Sequence, residues 1–260
     1  MQIKITIPFA LNETGGRKNN EDSIYPPKGK ATEAQRFFLV CDGMGGHENG
    51  ELASRTVCDA FEAFLEDRDV ARFNRADFKQ ALEYAYAQLD KADMENGEPK
   101  MGTTLAFVCF HTRGVFMAHI GDSRIYHLRR HMLRQGNGAV ILYKSQDHSH
   151  VGELIRAGII TEEEAATHPM RNVITRVMQP NQEIMVYADI HESDDIEAGD
   201  YFFLCTDGII ESASDELLCD IVGRDVDDET KINAIYEACQ ECSMDNFSAY
   251  LISVAGVINH

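Results

Sequence analysis

Apolar residues along this chain fall into two periods, and the period decides which element each stretch can form. Residues 2–9, 36–41, 103–110, 114–120, 123–129, 139–144, 184–190, 200–206 and 247–255 are continuous apolar runs or alternate at period two over strand lengths. Continuous runs such as FFLVC, FVCF and FFLC predict strands covered on both faces. The runs at 103–110 and 114–120 are separated by a short link ending in Thr112-Arg113-Gly114, which predicts an antiparallel hairpin. The opening MQIKITIPFALN lacks the basic-then-apolar order of a signal peptide and predicts a first strand.

Helical spacing appears between these runs. Asn74 as N-cap with Asp77 three positions on opens a helix that carries Phe78, Ala81, Leu82, Ala85, Tyr86 and Leu89 on one face and stops at Asn96-Gly97. A second helix follows Gly50, with Leu52, Ala53, Thr56, Val57, Ala60, Phe61 and Phe64. A third, late one places Ile232, Ile235, Cys239 and Cys242 on one stripe. Strands in groups with helices in separate blocks predict an α+β fold, a sheet sandwich with helices outside. From about 145 to 183 strand signals thin out, Thr161 and Glu164 form a capping box, and Pro169 ends the short helix they open. That segment reads as an excursion that covers a site. No linker or low-complexity stretch divides the 260 residues, so a single domain is expected.

Composition narrows the function. Hydrophobic residues make up 44% and charged residues 26%, ordinary for a globular chain. Lys and Arg number 24 against 43 Asp and Glu, a formal net charge of −19, which repels nucleic acid and anionic membrane. No apolar run approaches the roughly 20 residues of a membrane helix. Seven cysteines scattered through apolar runs fit reduced core thiols in the cytoplasm, and the acidic surface favours a soluble monomer. Cys239-x-x-Cys242 lacks a second Cys/His pair at zinc spacing and reads as core packing, while His148 and His150 read as a solvated loop.

The informative chemistry is where the acids fall. FFLVC runs into Asp42-Gly43, FFLCT into Asp207-Gly208 and VFMAHIG into Asp122; Asp245-Asn246 precede FSAYLISV, and Glu21-Asp22 follow Arg17-Lys18-Asn19-Asn20. Asp-Gly after a strand is a common turn when it stands alone. Five similar placements suggest convergence, and two carboxylates at ~4 Å repel by ~4 kcal/mol at an effective dielectric of ~20. Converged acids therefore need cations, and all-oxygen ligands suit Mg²⁺ or Mn²⁺ rather than zinc. The residues alone reach a possible metal-dependent hydrolase.

Six elements in order carry a resemblance: Arg17-x-x-Asn20-Glu21-Asp22, Val40-Cys41-Asp42-Gly43-Met44-Gly45-Gly46-His47, Gly102-Thr103-Thr104, Gly121-Asp122-Ser123-Arg124, Thr206-Asp207-Gly208 and Asp245-Asn246. In this order the chain resembles the type-2C, metal-dependent Ser/Thr protein phosphatases (the PPM family), in their bacterial-type branch. The resemblance implies a four-layer α-β-β-α sandwich of two packed antiparallel sheets flanked by helices. It implies two or three Mn²⁺ or Mg²⁺ ions held by Glu21, Asp22, Asp42, the Gly43 carbonyl, Asp122, Asp207 and Asp245. Arg17 would clamp phosphate, and a metal-bridging hydroxide would attack a phosphoserine or phosphothreonine of a protein targeted by a Ser/Thr kinase. Many eukaryotic members have His at the position of Met44 to protonate the leaving group. That role is vacant here, with His47 a candidate and a metal-bound water the favoured donor. The excursion matches the family's flap, with Arg171 or Arg176 expected near substrate. Two rival readings are a phosphatase for a small metabolite and a catalytically inactive phosphatase fold used as a regulatory module.

Overall fold

Strand Phe37–Cys41 shows how this sequence builds layers. All five side chains are buried, yet Phe37, Leu39 and Cys41 enter one core while Phe38 and Val40 enter another. The period-two alternation of a strand makes this possible, and an apolar run is what it requires.

The computed structural model describes residues 1–45, 49–96, 101–133 and 136–258. The first half forms β1 (Gln2–Ile5), β2 (Phe9–Glu13), β3 (Ser23–Tyr25), β4 (Phe37–Cys41), β5 (Gly43–Met44), α1 (Asn49–Leu65), α2 (Arg75–Asn96), β6 (Gly102–Thr103), β7 (Leu105–His111) and β8 (Gly114–Ile120). There follow β9 (Arg124–Leu133), β10 (Gly136–Lys144), α3 (His150–Arg156), α4 (Glu162–Ala166), β11 (Asp189–Ser193), β12 (Asp200–Cys205), α5 (Asp207–Ser212), α6 (Asp215–Gly223), α7 (Asp228–Gln240) and β13 (Phe247–Ile258).

Two antiparallel sheets result. One runs β1-β13-β12-β9-β10, with β2 also on β13; the other runs β11-β8-β7-β4-β3. Phe38, Val108, Phe110, Met117, Phe202, Leu204, Tyr250 and Ile252 fill the space between them. On the outer face of the second sheet, Phe107 and Phe116 meet Phe61 of α1 and Phe78 of α2. On the outer face of the first, Phe203 and Leu251 meet Leu218 and Ile221 of α6 and Ile232 and Ile235 of α7. Helix, sheet, sheet and helix stack in that order, the four-layer α+β sandwich expected.

The N-terminal run differs from the single strand expected. Pro8 has no N–H to give the ladder, so the chain breaks there. β1 then pairs the end of β13 (Gln2 opposite Ile258) and β2 its start (Phe9 opposite Leu251). The strand expected at 184–190 begins only at Asp189. Its partner β8 ends at Ile120, and Asp189 pairs His119. The apolar residues before it, Met185, Val186 and Ala188, pack instead against the helix-side core. Cys239 is buried as expected, but Cys242 lies beyond the end of α7 and is exposed, so only one of the pair belongs to the core.

Candidate metal centre

The strand-end acids are brought to one edge of the sandwich by a mesh of backbone bonds. Asp42 leaves β4 with its N–H donated to Thr104 Oγ1 (2.9 Å) and its carbonyl accepting from Thr104 N (2.9 Å) and Thr103 Oγ1 (3.0 Å). Thr104 Oγ1 also meets Ser123 Oγ at 2.6 Å, which ties the Asp42 strand to the residue after Asp122. Gly43 N donates to the Glu21 carbonyl (3.1 Å). A Cβ on Gly43 would stand 2.1 Å from the Gly50 carbonyl oxygen and 2.4 Å from that of Glu21, so only glycine lets these three segments close.

Asn246 makes the opposite tie. Its Oδ1 accepts from Glu21 N (2.8 Å), and its Nδ2 donates to the carbonyls of Thr14 and Asn19 (2.8 Å each). The loop carrying Arg17, Glu21 and Asp22 is thereby fixed to the start of β13. Thr206 Oγ1 donates to Asp22 Oδ2 (2.9 Å) and accepts from Ser248 N (2.9 Å), joining Asp22 to the turn that presents Asp207. Thr104, Thr206 and Asn246 are functional supports whose roles the sequence reading missed. Thr206 and Asn246 each adjoin an acid in their motifs, but the sequence does not show which groups they bond, and Thr104 has no acid beside it.

The electrostatics record how crowded the acids are. Burial and the neighbouring carboxylates of Asp22, Asp207 and Asp122 push the Asp42 carboxyl well above its ordinary range. Burial, reinforced by Asp207 and Asp245, raises Asp22 to about 7. Burial and Asp207 raise Asp122 to about 8, and burial and Asp245 raise Asp207 to about 6. Glu21 is raised by burial as well. Arg17 is the cation at the rim, with Nη2 at 2.6 Å from Asp245 Oδ2 and a side chain 60% exposed.

Asp122 Oδ1 and Asp207 Oδ1 are both buried with no hydrogen-bond partner. Orphaned acceptors on mutually repelling acids are costly unless something positive satisfies them. The donor set is carboxylate and carbonyl oxygen throughout, which fits hard divalent cations. Of the residues singled out in the sequence, Arg17, Glu21, Asp22, Asp42, Gly43, Asp122, Asp207 and Asp245 lie in this one region. His47 lies outside the described residues. Met44 sits in β5, and its thioether offers no proton.

The 145–183 segment packs beside this edge. It carries α3 and α4, and the Thr161–Glu164 capping box is formed as expected. Asp147 takes both arms of Arg124 (2.7 and 2.8 Å). Arg171 is exposed, whereas Arg176 donates to Asp189 Oδ1 (2.9 Å) and so is held by the fold. His148 contradicts its reading as a solvated loop residue: it is buried, because its ring finds partners on two other segments.

Comparison with known proteins agrees with this architecture. Residues 16–246 match the profile of the family described as protein phosphatase 2C. The chain is 30% identical over 242 residues to the protein phosphatase PhpP of Streptococcus pneumoniae, covering 92% of this chain and 93% of that one. It is 33% identical over 220 residues to the serine/threonine protein phosphatase PstP of Mycobacterium tuberculosis, covering 84% of this chain but 39% of that longer protein. The solved catalytic domain of PstP in complex with two manganese ions superposes with a TM-score of 0.76 at 27% identity, over 96% of this chain and 99% of that one. The chain belongs to the protein phosphatase 2C family.

Proposed function

We propose that this chain hydrolyses phosphoserine and phosphothreonine in proteins, using two or three Mn²⁺ or Mg²⁺ ions held by Glu21, Asp22, Asp42, the Gly43 carbonyl, Asp122, Asp207 and Asp245. The observation that carries the reading is the group of mutually repelling, partly orphaned carboxylates with Arg17 at its rim. The manganese bound by the PstP domain supports the choice of metal. Such ions supply a water of lowered pKa and offset charge on the transferring phosphoryl group.

The chain's own residues do the remaining work. Arg17 exchanges its Asp245 partner for phosphate oxygens, which a guanidinium fork can grip in pairs. Thr206 orients Asp22, and Thr104 holds the Asp42 backbone, so the acids are placed before substrate arrives. Position 44 donates no proton, so the leaving alkoxide takes one from water. The whole chain acts as one phosphatase domain with a flap over 145–183. It works as a cytoplasmic monomer on phosphoproteins made by a Ser/Thr kinase. Free thiols throughout, and no helix among the described residues long and apolar enough to cross a membrane, support that setting.

The test is phosphate release from a phosphothreonine peptide and from para-nitrophenyl phosphate, with EDTA, Mg²⁺ or Mn²⁺. Peptide turnover that needs Mg²⁺ or Mn²⁺ is expected. Preference for small phosphates over peptides would favour a metabolite enzyme, and no turnover a binding module. Arg17→Ala is expected to lower kcat/KM for the peptide by roughly 10- to 100-fold, the worth of a charge-assisted hydrogen bond. Arg17→Lys, which keeps charge but loses the fork, should recover only part of it.

A further inference from the structure

His148 occupies an unusual place in the bonding. Its backbone N–H donates to the Gly121 carbonyl (2.9 Å), and its ring Nδ1 accepts from Gly121 N (3.1 Å). One residue therefore holds both backbone polar groups of the residue that precedes Asp122. Gly121 has φ +98°, and a Cβ there would stand 2.5 Å from Thr104 Cγ2, so the turn into Asp122 is tight and cannot drift freely.

The other side of His148 faces the flap's return. Its carbonyl accepts from Thr175 N (2.7 Å). Its ring Nε2 lies 3.2 Å from Asp189 Oδ2 and 3.3 Å from Arg176 Nη1, and Arg176 completes the triangle on Asp189 Oδ1. The His119 ring stacks on it, with centroids 4.5 Å apart and planes 16° apart.

His119, His148 and Asp189 place ligand atoms within 4.8 Å of one another, which raises a transition-metal site as an alternative. The tautomer argues against it. Gly121 N–H requires a lone pair on Nδ1, so the proton of the neutral ring sits on Nε2, where it donates to Asp189 and leaves nothing for a metal. The Arg176 guanidinium beside Nε2 would also repel a cation. Burial and the neighbouring His119 push the His148 pKa down to about 4, consistent with a ring kept neutral.

We infer that His148 is a positioning residue that couples the flap to the Asp122 turn through opposite edges of one imidazole. This deepens the phosphatase reading and rests on it for the role of Asp122 as a cation ligand. A phosphoprotein that moves the flap then acts on Asp122, and a cation held by Asp122 acts on the flap, since coupling between two sites is reciprocal.

Two substitutions split the ring's functions. In His148→Asn the side-chain oxygen takes the place of Nδ1 but the side chain cannot reach Asp189. In His148→Gln the amide reaches Asp189 and Arg176 but gives up Gly121. Amide hydrogen exchange in EDTA reads Gly121 directly, without metal or turnover, and titration with Mn²⁺ alone, compared with Asp122→Asn, reads the binding step that depends on Asp122. His148→Gln is expected to speed Gly121 exchange at least about tenfold and to weaken that step by roughly 10- to 100-fold, as for supports behind metal ligands. His148→Asn should keep both near wild type while speeding exchange around Arg176. If Asn and Gln variants behave alike at Gly121, or if Gly121 exchange is unchanged in His148→Gln, the coupling is overturned. Wild type that turns over no phosphopeptide would overturn the phosphatase reading instead, and would leave the exchange result standing.

Discussion

Asp42→Asn is expected to abolish turnover and, in the same protein, to raise the melting temperature measured in EDTA. The two effects share one cause. Asp42 lies among Asp22, Asp207 and Asp122, and burial with their charges forces its carboxyl toward the protonated form. An amide of the same shape is neutral without a proton, so folding no longer has to protonate this position against the charges of Asp22, Asp207 and Asp122. The metal-free fold gains, and each kcal/mol gained moves the melting point by about 2–4 °C for a chain of this size. The cations lose a central ligand, so phosphate release should fall by at least about 10²- to 10³-fold. Adding Mn²⁺ should then stabilise wild type far more than the variant.

Asp200 is the contrast that makes the sign informative. It is fully buried, but Arg129, His127 and the Glu197 amide satisfy it, and its pKa is lowered to about 2 despite burial. Asp200→Asn should destabilise the protein with or without metal, because it removes the buried charge that His127 Nε2 and Arg129 Nε both meet. A stabilised Asp42→Asn beside a destabilised Asp200→Asn separates acids kept for cations from acids kept for folding. Loss of stability in EDTA for both would sink that distinction.

The layers were legible because strand runs here are long and apolar on both faces. FFLVC and FFLC could only be central strands, and their alternate residues fill separate cores. The sequence read less well where pairing depends on a partner's length, as at Asp189, or on one missing N–H, as at Pro8. The acids were legible from their position at strand ends. Their supports were not, because a threonine such as Thr206 or an asparagine such as Asn246 gains its role only from what the fold brings opposite it. His148 failed for a similar reason. Two histidines around a serine carry no sign of burial, and only the return of Thr175–Arg176 and the approach of Gly121 give the ring its partners.

Stability of the metal-free protein is expected to fall as pH rises from about 5.5 to 8.5, and Mn²⁺ to reverse the slope. Asp207, Asp22 and Asp122 titrate at about 6, 7 and 8 in the fold, whereas an unfolded aspartate titrates near 4. Between those limits the native protein holds protons that the unfolded chain has released, so the slope of unfolding free energy with pH is negative. Below the unfolded value the penalty vanishes, and above about 8 it is fully present. Cations compete with these protons, so their affinity should climb about tenfold per pH unit for each proton displaced. Calorimetric titration with Mn²⁺ in buffers of different ionisation enthalpy should show protons released at pH 7. The net charge of −19 also disfavours the fold as pH rises, but that repulsion is spread over the surface and screened by salt. The buried cluster is screened far less. The slope should therefore survive 0.5 M KCl and flatten in Asp42→Asn. A slope that salt removes and Asp42→Asn leaves intact would place its origin on the surface rather than in the acids at the strand ends.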